Sequence, residues 1–173
     1  TVYLDRAEAG FTEALAVATA ANDATLISAA KAGRAAVRLD KGNAAGAASD
    51  ANGIASTFAY KMPYYVTDAD QYNRIFWSTA NLPYRAHTVW NTVNETYYTA
   101  TKDPRVAWGS DPKNPVGDAA VGNLGKVPWY FELKYTSQTS PINLSTGWEM
   151  RLIEAEAKLV ANDIPGAMTL LNG

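Results

Sequence analysis

The 173-residue chain contains no cysteine, and this absence excludes several kinds of site at once. Disulfides, thiolate metal ligands and cysteine nucleophiles are all impossible without it. The chain has a single histidine, His87, and a lone histidine forms a zinc site only if carboxylates or another chain complete it. We interpret His87 as a structural or surface residue, and we expect no metal site and no cofactor.

Charged residues are also scarce, at 18% of the chain, and the formal net charge is −2. Binding to a phosphate backbone needs a basic surface, so we expect no nucleic-acid partner. No apolar run approaches the ~20 residues that span a bilayer. The hydrophobic fraction of 47% is typical of a globular protein with a core.

Motifs for catalysis or ion binding are incomplete. No Gly-x-Ser-x-Gly turn accompanies His87 for a catalytic triad, and Gly125-Lys126 lacks the rest of a phosphate-binding loop. The stretch Asp68-Ala69-Asp70 opens like a calcium loop, but Asn73 and Thr79 stand where that loop requires Gly and Glu. The sequence thus favours a protein that is not an enzyme.

Paired carboxylates, the machinery of glycoside hydrolysis, were the remaining catalytic possibility. Glu154 and Glu156 flank one alanine on a predicted helix, so their side chains point about 200° apart. They cannot converge on one glycosidic bond, and we interpret them as solvated or salt-bridged helix positions. No catalytic residue is predicted.

Composition divides the chain into three segments. Residues 1–55 are rich in alanine and contain neither Trp nor Pro, residues 56–147 are rich in aromatic residues and proline, and residues 148–173 return to helix-forming composition. We predict a single, mainly α domain, in which helical hairpins flank an irregular segment. Because the chain starts at Thr1 and a helical pattern still runs at Leu171, we expect a fragment of a longer chain.

The first segment predicts three helices. The first covers residues 3–21, and its apolar stripe consists of Leu4, Ala7, Phe11, Ala14, Leu15 and Ala18. The second starts at an Asp23 cap and ends near Asp40, with these residues inward: Leu26, Ile27, Ala30, Gly33 and Val37. A short third helix follows over 44–51. Small residues at contact positions fit tetratricopeptide-like hairpins, and an ordinary alanine-rich bundle remains the alternative.

The last segment predicts a tight helical hairpin. Ser145 is its expected cap, Asn162-Asp163 forms the turn, and Pro165 lies in the first turn of the second helix. The face predicted to point toward the core consists of Trp148, Leu152, Ala155 and Leu159.

The middle segment has no sustained period, because proline recurs every ten to twenty residues. Residues 129–135 are its best strand candidate, 88–98 could be helix or strand, and 111–125 read as a loop. Aromatic residues here lie among Asn, Asp, Gln and Thr, a composition suited to sugars, whose C–H faces stack on aromatic rings. The candidate ligand-binding residues are Tyr72, Trp77, Tyr84, Trp90 and Trp108. Packing in a loop-rich core is the alternative role for each ring.

The C-terminal hairpin resembles the signature of the SusD/RagB family. Arg151–Ala157 reads Arg-Leu-Ile-Glu-Ala-Glu-Ala, Asn162-Asp163 follows as the turn, and Ala167–Asn172 ends in Leu-Leu-Asn. Other stretches agree in order, namely Asp103-Pro104-Arg105, Leu133-Lys134-Tyr135 and Ser140-Pro141-Ile142. The alanine-rich residues 11–51 resemble the tetratricopeptide-like helices of the same family.

This resemblance implies a surface-exposed outer-membrane lipoprotein that binds a glycan or another nutrient and works with a TonB-dependent receptor. Its membrane anchor would be a lipid on a cysteine upstream of Thr1, outside this chain. The alternative is a structural or interaction subunit of an extracellular assembly, in which the helical hairpins bind another polypeptide.

Overall fold

A computed structural model describes residues 2–81, 84–117 and 127–172 of the chain. The fold is mainly α, as predicted. The chain divides into two compact units, which we call the helical unit (residues 1–62 and 143–173) and the aromatic unit (residues 63–142). The predicted segments 1–55 and 148–173 therefore lie in the helical unit. The middle segment, 56–147, lies mostly in the aromatic unit, and its two ends, residues 56–62 and 143–147, belong to the helical unit.

The helical unit begins with three helices at the predicted positions: α1 (Val2–Ala20), α2 (Ala24–Asp40) and α3 (Ala44–Ala51). Asp23 caps α2 as expected, because its carboxylate accepts hydrogen bonds from the backbone N–H groups of Thr25 and Leu26, both at 3.0 Å. Asn43 caps α3 in the same way by accepting from the N–H of Gly46 at 2.9 Å. Helix α2 packs against both α1 and α3.

The rest of the helical unit consists of a two-stranded ribbon and the C-terminal hairpin. Strand β1 (Ala59–Met62) pairs with β4 (Ile142–Thr146), and helices α6 (Gly147–Val160) and α7 (Ile164–Asn172) follow. The cap of α6 is Thr146 rather than the predicted Ser145. Thr146 and Glu149 form a reciprocal capping box, in which each side chain satisfies a backbone N–H of the other residue.

Small residues allow the helices of this unit to approach closely. The core is built from mostly small side chains: Ala32, Ala35, Ala47, Ala51, Ile54, Met150 and Ile153. At Gly33 an added Cβ would lie 2.3 Å from the Phe11 ring, so that ring occupies the space that glycine leaves open. The close packing fits the predicted role of Ala and Gly, whereas a tetratricopeptide-like repeat stays a prediction.

The core face of α6 differs from the predicted one. Trp148, Leu152 and Leu159 are exposed by 63%, 58% and 51%, and only Ala155 of the predicted set is buried. The helix carries a second apolar set, Met150 and Ile153, and this set is the one that packs in the core with α2 and α3 residues. A helix with two apolar stripes leaves the choice of buried stripe to its neighbours.

In helix α2, too, the buried residues differ in part from the predicted ones. Leu26, predicted to point inward, is 43% exposed, whereas Ala32 and Ala35 are fully buried. Because α2 has neighbours on two sides, α1 and α3, it buries alanines outside the single predicted stripe.

Arg151 joins α6 to the end of α3. Its guanidinium donates to the carbonyl oxygen of Ala51, the last residue of α3, at 3.3 Å and to that of Ile54, in the segment that follows, at 2.9 Å. Glu154 forms an ion pair with Arg151 at 2.6 Å, while Glu156 is exposed. The interpretation of these two glutamates as salt-bridged or solvated positions is confirmed.

A network of charges connects α1, α2 and α3. The Asp50 carboxylate, only 4% exposed, accepts two bonds from Arg34 at 2.8 and 2.7 Å and one from Arg38 at 2.9 Å. Arg38 and Lys41 in turn bond to Glu8, at 2.8 and 2.7 Å. A buried carboxylate is costly unless it is paired and hydrogen-bonded, and here both Asp50 oxygens are satisfied.

The aromatic unit contains short elements. A 3₁₀ turn (Ala69–Gln71) precedes α4 (Arg74–Thr79), and α5 (Val93–Thr101) precedes a second 3₁₀ turn (Pro104–Val106). Strands β2 (Trp108–Ser110) and β3 (Tyr130–Glu132) pair antiparallel, with Trp108 opposite Glu132 and Ser110 opposite Tyr130.

These elements resolve the open assignments of the middle segment. The strand predicted within 129–135 is present as β3. The ambiguous stretch 88–98 becomes helical from Val93 onward. Of the predicted loop at 111–125, residues 118–125 lie outside the described part of the chain.

The Glu8 network predicts a pH dependence of stability. Hydrogen bonds from Lys41 and Arg38 lower the pKa of Glu8 from 4.5 to about 2. A carboxylate with a lowered pKa stabilises the fold above its unfolded-state pKa, and this stabilisation is lost as the pH falls toward the folded-state pKa. In urea unfolding followed by circular dichroism, Glu8→Gln should make the free energy of unfolding fall less steeply between pH 4.5 and 2.

Glu13→Gln on the same helix is the matched control, because Glu13 makes no ion pair with the described residues. Equal slopes for the wild type and Glu8→Gln would contradict the role of this network.

Gly147 predicts a second effect on stability. An added Cβ there would lie 1.9 Å from the carbonyl oxygen of Ala55 and 2.7 Å from the backbone of Ser56. Since backbone cannot move aside as a flexible side chain does, Gly147→Ala should cost about 1–3 kcal/mol in chemical denaturation. Gly10→Ala, where an added Cβ meets nothing within 4 Å, should instead stabilise α1 by about 0.5–1 kcal/mol. A neutral Gly147→Ala would refute the close approach.

Candidate functional site

Trp129 forms the centre of the aromatic unit. It is 1% exposed, its indole N–H donates to the Thr79 carbonyl at 2.8 Å, and its ring lies 4.6 Å from that of Phe131. A buried tryptophan with a satisfied N–H has a structural role. Trp129 therefore holds α4 against the strand segment, and the core role proposed as the alternative for aromatic residues applies to it.

Asn73 fixes the start of α4 and is fully buried. Its side-chain oxygen accepts from the N–H groups of Ile75 and Phe76 at 3.0 and 3.1 Å, and its amide donates to the Ser140 carbonyl at 2.7 Å. Its own backbone N–H donates to the Gln138 carbonyl at 2.8 Å. One residue thus caps a helix and binds a distant segment, so the position of the rings on α4 depends on it.

Three of the five predicted ligand-binding residues form a continuous row of rings, which we call the aromatic triplet: Tyr72, Trp77 and Tyr84. The Trp77 ring lies 4.9 Å from Tyr72 and 5.1 Å from Tyr84, with interplanar angles of 52° and 51°. Tyr84 is 47% exposed, and the other two are partly exposed. Tilted, partly exposed rings form a surface that offers π-faces to a ligand.

The other two predicted residues lie outside the triplet. Trp90 is 42% exposed and follows a turn in which its backbone N–H donates to the Thr88 hydroxyl at 3.1 Å. Trp108 stacks on Tyr130 at 4.3 Å and 12°, and meets the edge of Tyr98 at 6.1 Å. One face of Trp108 is therefore covered by protein, which favours packing over ligand contact for this residue.

A separate cleft of about 530 Å³ opens in the aromatic unit, and none of the five predicted residues lines it. Its lining combines apolar side chains, such as Ile75 and Val89, with the polar Asn94, Arg105 and Lys134. Ile75 and Trp77 are two positions apart on α4, so they point about 200° apart. The cleft and the aromatic triplet consequently use opposite faces of the same helix.

Two charged side chains around this cleft already have partners within the chain. The Glu132 carboxylate accepts from the N–H groups of Lys134 and Tyr135 at 2.6 and 3.0 Å. Arg105 binds Asp103, whose pKa it lowers to about 2 through hydrogen bonds. These two side chains are thus held by internal bonds.

The structure also places the residues that sequence analysis set aside. His87 is exposed, in agreement with its interpretation as a surface residue. Asp68 caps the first 3₁₀ turn by accepting from the N–H of Asp70 at 2.9 Å. Within residues 2–81, 84–117 and 127–172, no cluster of three or more His, Asp or Glu side chains is arranged to hold a metal ion.

The helical unit contains a second candidate surface that sequence analysis did not predict. An open groove of about 860 Å³ is lined by helices α1 and α2, the ribbon and the start of α6. We call it the helical groove. Its floor carries small residues from both helices, among them Ala14, Ala29 and Ala36. Their recurrence at three- and four-residue spacing is visible in the sequence, but only the fold shows which of them stay uncovered.

Comparisons of the chain with protein-family models, with curated proteins and with solved structures find no match. None of the helices in the described part of the chain is both long and apolar enough to cross a membrane.

Substitution of Asn73 should lower the stability of the protein. Asn73→Ala removes the cap of α4 and leaves the Ser140 carbonyl without its donor, and losses of this kind cost about 2 kcal/mol or more together. Urea unfolding monitored by tryptophan fluorescence should report this loss. Asp68→Ala, which removes an exposed cap of a single 3₁₀ turn, should cost about 1 kcal/mol at most. Equal effects of the two substitutions would show that Asn73 is not the anchor of α4.

Proposed function

We propose that this chain is a cell-surface subunit that binds a glycan or similar nutrient and works with a TonB-dependent outer-membrane transporter. The observation that carries the binding part is the aromatic triplet, because it presents adjoining, partly exposed rings on one surface of the aromatic unit. Sugar rings have apolar C–H faces that stack on such rings, while a few polar groups take the hydroxyls.

The surroundings of the triplet support a sugar more than a purely apolar ligand. The backbone carbonyl of Asn81 accepts from the N–H of Tyr84 at 3.1 Å, so a residue with an amide side chain is hydrogen-bonded to the residue that carries the most exposed ring of the triplet. Ser78, on α4 beside Trp77, adds a hydroxyl, although that group already donates to the Arg74 carbonyl at 2.7 Å. Aromatic floor and neighbouring amide match the usual composition of a small-ligand site.

The outer-membrane part of the proposal is supported by the sequence resemblance. The motif residues Arg151 and Glu154 have a clear physical role in the helical unit, since they join α6 to the end of α3. A motif that holds the scaffold together is expected to persist across proteins with different ligands. We accordingly propose a lipid anchor outside this chain and a surface location.

A second candidate function is a protein-interaction subunit. The observation that favours it is the outer face of the C-terminal hairpin, where these large apolar side chains are about half exposed or more: Trp148, Leu152, Leu159, Ile164, Met168 and Leu171. Contiguous apolar surface of this kind marks interaction sites. Native mass spectrometry of the protein purified from its source would separate the two: a transporter barrel as the stoichiometric partner favours the first function, and another polypeptide favours the second.

Isothermal titration calorimetry against a panel of oligosaccharides tests the glycan proposal. We expect one member of the panel to bind, and Trp77→Ala to weaken that binding about tenfold or more, because a central aromatic residue carries a large share of the energy of a contact. Trp148→Ala, an exposed tryptophan of the helical unit, is the matched control and should leave the affinity unchanged.

A further control separates the triplet from the cleft on the opposite face of α4. Asn94→Ala changes the lining of that cleft and should not affect binding at the triplet. Absence of binding by every sugar in the panel, or an affinity insensitive to Trp77→Ala, would refute the glycan proposal.

A further inference from the structure

The helical groove is open although its walls are apolar. It lies between α1 and α2 on one side and the ribbon with the first turn of α6 on the other. Among its lining residues, Val17 is 65% exposed and Leu26 is 43% exposed. Large apolar side chains at this level of exposure along a groove indicate a surface that a partner covers.

The floor of the groove is shaped for a helix. Small residues that are not buried line it, among them Gly10, Ala14, Ala29 and Ala36. Because their side chains end at Cβ or are absent, they let another backbone approach, and helix axes pack at separations of about 8–10 Å depending on the side chains at the contact. An amphipathic helix that lays its apolar face into a hydrophobic groove, with anchors at i, i+3, i+4 and i+7, is an established mode of recognition.

The charges of the groove select the kind of helix. Its two charged lining residues, Glu13 and Glu149, are both acidic. Glu149 is fixed by the capping box of α6, whereas Glu13 is exposed on α1. Complementary charge favours the correct partner and suppresses others, so the groove matches a helix with basic residues beside its apolar stripe.

The C-terminal hairpin of a second copy does not fit this requirement. It offers two exposed apolar stripes, Trp148, Leu152 and Leu159 on α6 and Ile164, Met168 and Leu171 on α7. The basic residues of α6, Arg151 and Lys158, already pair with Glu154 and Asp163. Helix α7 contains no basic residue, so its stripe supplies nothing to pair with Glu13 and Glu149.

From the shape, the exposed apolar walls and the acidic lining together, we infer that the helical groove binds an amphipathic helix with basic flanks from a protein partner. The inference does not depend on glycan binding, because the groove belongs to the helical unit and the aromatic triplet to the aromatic unit.

Fluorescence anisotropy with the full chain and two dye-labelled synthetic peptides tests this inference. Both peptides form a helix with leucine at i, i+4 and i+7; one has lysines beside the leucines and the other has glutamates at the same positions. We expect the lysine peptide to bind at least about tenfold more tightly, and Glu13→Lys to reduce or reverse this preference. Equal affinity of the two peptides, or no binding by either, would overturn the inference.

Two tryptophan substitutions on α1 locate the binding surface. Ala14→Trp places a large ring inside the groove and should weaken lysine-peptide binding about tenfold or more. Ala16→Trp is the matched control, because Ala16 is equally exposed on α1 but does not line the groove, and it should leave the dissociation constant unchanged. Circular dichroism verifies that both variants fold, and a folded Ala14→Trp that binds normally would overturn the inference.

Analytical ultracentrifugation of the wild type and of Ala14→Trp tests whether a second copy of the chain occupies the groove. We expect that the Ala14→Trp substitution does not reduce any self-association that the wild type shows in sedimentation. A dimer or polymer that dissociates with Ala14→Trp would assign the groove to a second copy of this chain and would overturn the inference of a basic partner helix.

Discussion

Close approach of helix backbones is the constraint on which the helical unit depends. Helix α2 packs against α1, α3 and α6, and alanine is the commonest residue of the core of this unit. Gly33 of α2 contacts the Phe11 ring and Gly147 of α6 contacts the backbone at Ala55, and neither contact leaves space for a larger residue. Such contacts give good packing but bury little apolar area per residue, and hydrophobic stabilisation grows with that area. Other interactions must therefore contribute to holding the helices in one arrangement.

Charged side chains provide part of the interactions that hold the helices in one arrangement. Asp50 is buried among alanines and receives three hydrogen bonds from Arg34 and Arg38, so α2 and α3 are held in one register. Arg151 does the same for α6 by binding the carbonyls at the end of α3. Because the core is built from small residues, large apolar side chains such as Trp148 and Leu152 remain exposed at the surface. Those side chains and the helical groove are the surfaces on which a partner can act.

The aromatic unit is built in the opposite way. It has few regular elements, and its buried residues include Trp129 and Tyr135. The half-buried rings of Trp108 and Tyr130 stack on each other. Residues from distant parts of the sequence meet there through single anchors such as Asn73. Several other rings remain at the surface, among them Tyr65, Tyr84, Trp90 and Tyr97.

The features that could be predicted from the sequence are those that depend on interactions between residues close together in the chain. The bounds of α1, α2 and α3 and the Asp23 cap were predictable, since they depend on spacing and on a cap within a few residues. The buried stripe of α6 was predicted wrongly, because Met150 and Ile153 were chosen over Trp148 and Leu152 by neighbours far away in the chain. The aromatic triplet was predicted as separate residues, but its contacts, and the covering of Trp108 by Tyr130, depend on tertiary packing.

The indole N–H signals in a ¹H–¹⁵N NMR spectrum distinguish tryptophans that pack inside the protein from those that a ligand contacts. On titration with the oligosaccharide that binds, we expect shifts of the Trp77 signal, with Trp129 and Trp148 unchanged. Shifts confined to Trp148, or no shift at Trp77 with a saturating sugar, would contradict this expectation.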